Sequence, residues 1–265
     1  MVKALKSKAF GAAVLLAMTA TLVGCSIFAS KDENAAYVEQ PVDQLYNRAL
    51  DDLGAENYKQ AAKEFEEVDR QHPYSVWATK AQVMAAFTYY ESNKYDDSVI
   101  ALDRFIQLHP GHRDIPYAYY LKALCYYEQI SDIGRDQAMT QKALDALAEV
   151  AKRYPDSPYA RDARLKVELT IDHLAGKEMD IGRYYEKQQQ YVGAINRYRA
   201  VIERYQTTTH VPEALHRLVE CYLALGVKSE AKEAAAVLGH NFPGSDWYAD
   251  SYLLLTGEDY RVDDK

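Results

Sequence analysis

The sequence predicts an all-α fold, a superhelical solenoid of five helix-turn-helix repeats. Three observations predict it. Glycine and proline are sparse across the 265 residues, at 12 and 8, whereas tyrosine is abundant, at 23, which suits packed helices with many aromatic contacts. An aromatic residue or His followed by Pro recurs at His72-Pro73, His109-Pro110, Tyr154-Pro155 and Phe242-Pro243, with Tyr205-Gln206 as a degenerate copy, at successive spacings of 37, 45, 51 and 37 residues. The segment upstream of the junctions also repeats: Tyr58, Ala61 and Phe65 align with Tyr191, Ala194 and Tyr198, and Tyr95, Ser98 and Leu102 follow the same order. Self-similarity at such a period marks stacked helix pairs that bury a core only against their neighbours.

Residues 1–24 read as a secretory leader. Lys3, Lys6 and Lys8 precede an apolar run over residues 9–23 and the small Gly24. The run is short for a membrane span of about 20 residues. Leu22-Val23-Gly24-Cys25 resembles the lipobox of bacterial lipoproteins. Cys25 is therefore the expected lipidation site: its thiol can form a thioether to a diacylglyceryl group and its freed amine can take a third acyl chain. Each buried methylene contributes about 0.8 kcal/mol to anchoring, and no other cofactor is expected. Ser26 stands where an inner-membrane retention signal would put Asp, so resemblance to Gram-negative sorting rules directs the chain to the periplasmic face of the outer membrane. Residues 25–41 lack a sustained apolar period and read as a flexible tether.

The repeats run from 42 to 255, at about 42–75, 76–112, 113–157, 158–209 and 210–246, with a C-terminal helix after them and a polar tail over 256–265. In each, the small residue lets two helices approach, the large one fills the gap beside it, and Pro ends the turn because it cannot continue the hydrogen-bond ladder. Ser75, Ser157 and Ser245, each two residues past a junction Pro, are natural N-caps for the next helix. This is the pattern of tetratricopeptide repeats. The third copy carries about eight extra residues, 131–138, and the fourth begins with one long helix over about 158–188. Both are expected as extra surfaces for neighbours.

First helices line the concave face of such a stack. Counted back from the junctions, the concave positions are Tyr46, Leu50 and Leu53, then Val83, Phe87 and Tyr90, then Tyr117, Tyr120, Leu124 and Tyr127. The aromatic members, Tyr46, Phe87, Tyr90, Tyr117, Tyr120 and Tyr127, form the candidate peptide-binding groove. Their rings suit the aromatic side chains of an extended peptide, and their hydroxyls suit its backbone.

Composition excludes several classes. Loss of Lys3, Lys6 and Lys8 with the leader takes the formal net charge from −8 to −11, so nucleic acid is not an expected partner. Cys125 and Cys221 fall at the same repeat position two copies apart, about 20 Å at helix spacings of 8–10 Å, too far for a disulfide. Two buried free thiols are expected. No nucleophile with its base, paired carboxylates, metal cluster or phosphate loop stands out, so an enzyme is not expected. His109 and His112 lack further ligands and read as structural.

With leader, tether and repeats in place, the chain resembles the BamD (ComL) family of outer membrane protein assembly factors. The most specific stretch is Asp103-Arg104-Phe105-Ile106-Gln107-Leu108-His109-Pro110 with Ile115-Pro116-Tyr117-Ala118-Tyr119-Tyr120, supported by Tyr154-Pro155-Asp156-Ser157-Pro158-Tyr159 and Val192-Gly193-Ala194-Ile195-Asn196-Arg197. The resemblance implies a non-enzymatic scaffold of the machine that folds β-barrels into the outer membrane. It implies that repeats one to three receive unfolded barrel precursors, and that repeats four and five hold a periplasmic POTRA domain of the barrel subunit BamA. Accessory lipoproteins of the same machine are further implied partners. Arg197 matches the family's interface arginine, which would pair with a BamA carboxylate. Two other readings share the lipobox and repeats: a pilotin for a secretin or pilus system, and a cell-wall remodelling factor.

Overall fold

Helix follows helix without a strand in the described residues, 39–257 of a computed structural model. Cys25, with the leader, most of the tether and the end of the tail, lies outside them. A single unit begins at Val42. Its helices pair as α1 (Val42–Gly54) with α2 (Tyr58–Gln71), α3 (Val76–Glu91) with α4 (Tyr95–Leu108), and α5 (Ile115–Tyr127) with α6 (Ala138–Arg153). Next come α7 (Ala160–Lys187) with α8 (Tyr191–Arg204), then α9 (Val211–Ala224) with α10 (Lys228–Asn241), and α11 (Asp246–Thr256) closes the stack. This is the all-α repeat solenoid that the sequence predicts.

The junctions share one backbone geometry. His72, His109, Tyr154, Tyr205 and Phe242 end their helices at φ of −126 to −136° and ψ of 46 to 55°. Each carbonyl then accepts from the amide three residues on, at 2.9 to 3.1 Å. Tyr205 conforms although Gln206 replaces the Pro, so the turn is set by the helix ends rather than by Pro alone. Ser75 and Ser245 accept the amides of Ala78 and Tyr248 as N-caps. Ser157 does not: α7 starts later, at Ala160, and the Ser157 hydroxyl is buried without a hydrogen-bond partner.

Repeat positions become core positions. Seven residues before each junction stand Phe65, Leu102, Leu147, Tyr198 and Ala235, all buried; eleven before stand Ala61, Ser98, Ala143, Ala194 and Ala231, all fully buried. Ser98, the one polar member, donates its hydroxyl to the Ala86 carbonyl at 2.8 Å. Nine residues after four of the junctions stand Ala81, Ala118, Ala163 and Ala214, whose methyl groups permit close helix contact. The odd-numbered helices also meet across repeats, α1 with α3, α3 with α5 and α9 with α11, which makes them the inner layer. Cys125 and Cys221 are buried and free, and burial pushes the Cys125 thiol up to about 11.

Two elements depart from the pattern. Helix α7 is 28 residues long, against 13 to 16 for α1 to α6. The third-repeat insertion, expected as an extra surface for neighbours, exposes most of its residues, while Ile133 lies beside Gly176 at the middle of α7, together with His210. Thr209 ties the same region by donating its amide and hydroxyl to Asp172, at 3.2 and 3.0 Å.

Candidate peptide-binding face

The inner sides of α3, α5 and the start of α7 converge on a cluster of phenols. Tyr117 and Tyr120 lie one turn apart on α5, and both rings meet Tyr159 at the α7 N-cap, Tyr117 tilted at 5.4 Å between centroids and Tyr120 stacked at 5.1 Å with 20° between planes. The Tyr120 hydroxyl donates to Asp162, which also accepts from Lys166 at 2.7 Å. The Lys166 ammonium in turn sits 5.5 Å over the Tyr127 ring. Tyr90, at the end of α3, packs edge-on against Tyr95 at 5.8 Å and points its hydroxyl toward Glu128 at 3.5 Å. Tyr90, Tyr117, Tyr120, Tyr127 and Tyr159 are all half-buried.

The electrostatics disfavour ionisation of Tyr90, Tyr117 and Tyr120. Burial, then the Glu128 charge, pushes Tyr90 up to about 12; burial, then Tyr159, pushes Tyr117 up to about 12. Burial also raises Tyr120, helped by its bond to Asp162. Lys166, then Tyr120, holds the Asp162 carboxyl below the usual range. The face therefore offers apolar ring surface and fixed hydroxyl dipoles.

The sequence-predicted set divides on this geometry. Tyr90, Tyr117, Tyr120 and Tyr127 come together. Phe87 is half-buried against the α3–α5 core. Tyr46 is not in the groove: it is buried, edge-on to Phe65 at 5.5 Å and against Trp77 at 4.8 Å, so it fills the space between α1, α2 and α3. Val83 is likewise a core residue. Tyr159, Asp162 and Lys166 complete the face and were missed; the start of the fourth repeat was legible as a junction, but its register against α5 was not.

Arg197 lies on α8 and donates to Glu178 of α7 at 3.1 Å, with 41% of its side chain exposed. Between α7 and α9, on the inner layer, runs an ion-pair ladder that no sequence motif signalled. Arg183 grips Glu213 with two bonds, at 2.9 and 2.7 Å, and Arg217 reaches Glu220 at 2.7 Å. His216, buried under Trp247, meets Ser251 at 2.8 Å.

Comparison with known proteins places this architecture. The family model for the outer membrane lipoprotein YfiO matches residues 38–238. The outer membrane protein assembly factor BamD of Caulobacter vibrioides is 51% identical over 250 residues, covering 94% of this chain and 81% of that protein. The chain belongs to the BamD family. The BamD of Rickettsia prowazekii is 44% identical, covering 91% of this chain and 94% of its own length. Among solved structures, a thermophilic TPR protein of Thermus thermophilus aligns over 80% of this chain and all of its own, at 18% identity and a TM-score of 0.37. The BamD membership covers both the tyrosine face and the Arg197 helix. Among the described residues no helix is long and apolar enough to cross a membrane.

Proposed function

We propose that this chain is a non-enzymatic scaffold of the β-barrel assembly machinery, held at the periplasmic face of the outer membrane by lipid on Cys25. It receives unfolded barrel precursors on the face of Tyr90, Tyr117, Tyr120 and Tyr127 and holds a POTRA domain of BamA through the Arg197 region. Membership in a family named for outer membrane protein assembly supports the role. The observation that carries it is the half-open phenol cluster spanning α3, α5 and α7, which matches the chemistry of an extended strand ending in aromatic residues. Hydroxyls meet the strand's backbone and ring faces meet its side chains. Accessory lipoproteins would join on surfaces outside that face.

Arg197 is expected to exchange its bond to Glu178 for a BamA carboxylate, keeping the guanidinium paired in both states. Isolation of the membrane complex through a tag on the C-terminal tail is expected to bring BamA with the wild type and to lose it with Arg197→Glu. A thermal melt of the variant separates loss of BamA from loss of fold. Co-purification unchanged by Arg197→Glu in a folded variant would place the BamA contact elsewhere.

A further inference from the structure

In repeat two the face of α3 bearing Val83, Ala86 and Phe87 is covered by α4. Val83 and Ala86 are buried, Leu102 and Phe105 of α4 pack into the same core, and Ser98 bonds Ala86. Counted from the junction residues His72 and Tyr154, the equivalents in repeat four are Leu165, Glu168 and Leu169. These are bare: Leu165 is 57% and Leu169 60% exposed. The reason is the length of α7. Its partner α8 packs on the C-terminal half, where Ala194 and Tyr198 share a core with Ala175 and Met179 and the Tyr198 ring lies on Gly182. The seat that α4 fills in repeat two therefore stands empty in repeat four, as an open groove of about 520 Å³ floored by Ala148, Ala151, Leu165 and Val167.

The two seats differ in sign. In repeat two the seat contributes Glu66 and Asp69, and α4 answers with Arg104, which bonds Asp69 at 3.2 Å. The open groove is rimmed by Lys152, Arg161 and Arg164, with Glu168 its one acidic lining residue, which accepts from the Thr207 hydroxyl at 3.5 Å. None of the three cations has an ion-pair partner among the described residues, although the neighbouring Arg153 and Lys166 are both paired. Three unpaired cations against one carboxylate around an apolar floor, in a chain with 39 acidic and 31 basic residues, call for carboxylates from outside.

We infer that the α6–α7 groove is a docking seat for an amphipathic helix of a partner protein, one that presents small and large apolar residues to Ala148, Ala151 and Leu165 and flanks them with Asp or Glu. The internal repeat says what shape covers such a groove, and the rim says what charge it carries. A groove recessed between two helices receives inserted side chains; a bilayer surface would meet protruding ones.

The test titrates the full chain with a fluorescein-labelled helical peptide of about four turns that carries Ala and Leu on one face and Glu beside them. The same peptide with Lys for Glu and a shuffled peptide serve as controls. The Glu peptide is expected to bind, the Lys peptide and the shuffled one not. Arg161→Glu with Arg164→Glu, and separately Leu165→Asp with Leu169→Asp, should each weaken the Glu peptide by about tenfold or more. The Arg→Glu pair should gain the Lys peptide, an outcome that an unfolded variant cannot give. Binding no better than the shuffled peptide, or binding indifferent to these substitutions, overturns the inference. Displacement of the Glu peptide by phosphatidylglycerol vesicles through the same residues would also overturn it, assigning the groove to a lipid surface.

Discussion

A methyl group on Gly182 would stand 2.4 Å from Cε1 of Tyr198, a contact no real side chain makes. Tyr198 occupies the place that Leu102 and Leu147 fill in other repeats, so the larger ring demands the smallest partner. Gly182→Ala is expected to cost about 1–3 kcal/mol by overpacking, read from urea unfolding, and Tyr198→Leu in the same chain should recover part of that loss. Glu213 carries a prediction with a sign. Burial acts to raise its carboxyl, but Arg183 and Arg217 outweigh burial and hold it below the ordinary 4.5. Its folded value is depressed, so its contribution is fully present above the unfolded value and is lost as pH falls through the folded one. Glu213→Gln should lower stability by about 1–3 kcal/mol near neutrality, and the gap to wild type should close as the melt is repeated at falling acidic pH. Tyr46 shows what a residue-level reading cannot resolve: a ring that plugs three helices and a ring that faces a groove share the same apolar phase along the helix. Its neighbours Phe65 and Trp77, distant in sequence, decide which it is.

At the scale of elements, the turns within repeats obey a rule hidden from the sequence. Two residues before the second helix the backbone is left-handed, at Glu56, Asn93, Gln189 and Gly226, with φ of 60, 57, 59 and 75°. Only repeat five uses glycine there. Glu and Gln give no signal of such a conformation, which is strained for side chains with a Cβ, so these turns were not legible, whereas the junction prolines were. Gln189→Gly should stabilise the chain by about 0.5–1 kcal/mol, seen as a raised urea midpoint with unchanged slope. The long helix α7 was legible because residues 160–187 hold no turn signal that interrupts the helical pattern. Its consequence, an uncovered groove beside α6, was not, since it depends on where α8 comes to rest.

Over the whole molecule, the repeat period made the solenoid legible, because each repeat buries its core against the next and so writes the same small and large residues at the same places. The inner face was legible in outline only: four of its tyrosines were named, while Tyr159, Asp162 and Lys166 join it through packing between repeats. Function at this scale rests on the joined face acting as one surface, with rings from three helices at fixed spacing. The most direct measurement is a fluorescence anisotropy titration of the full chain with a peptide of alternating polar and aromatic residues that ends in an aromatic residue with a free carboxylate. Saturable binding is predicted, weakened about tenfold by Tyr117→Ala or Tyr120→Ala and left unchanged by Tyr46→Phe. Equal binding of a scrambled peptide, or an isotherm unaffected by removing the inner tyrosines, would contradict a receptor role for this face.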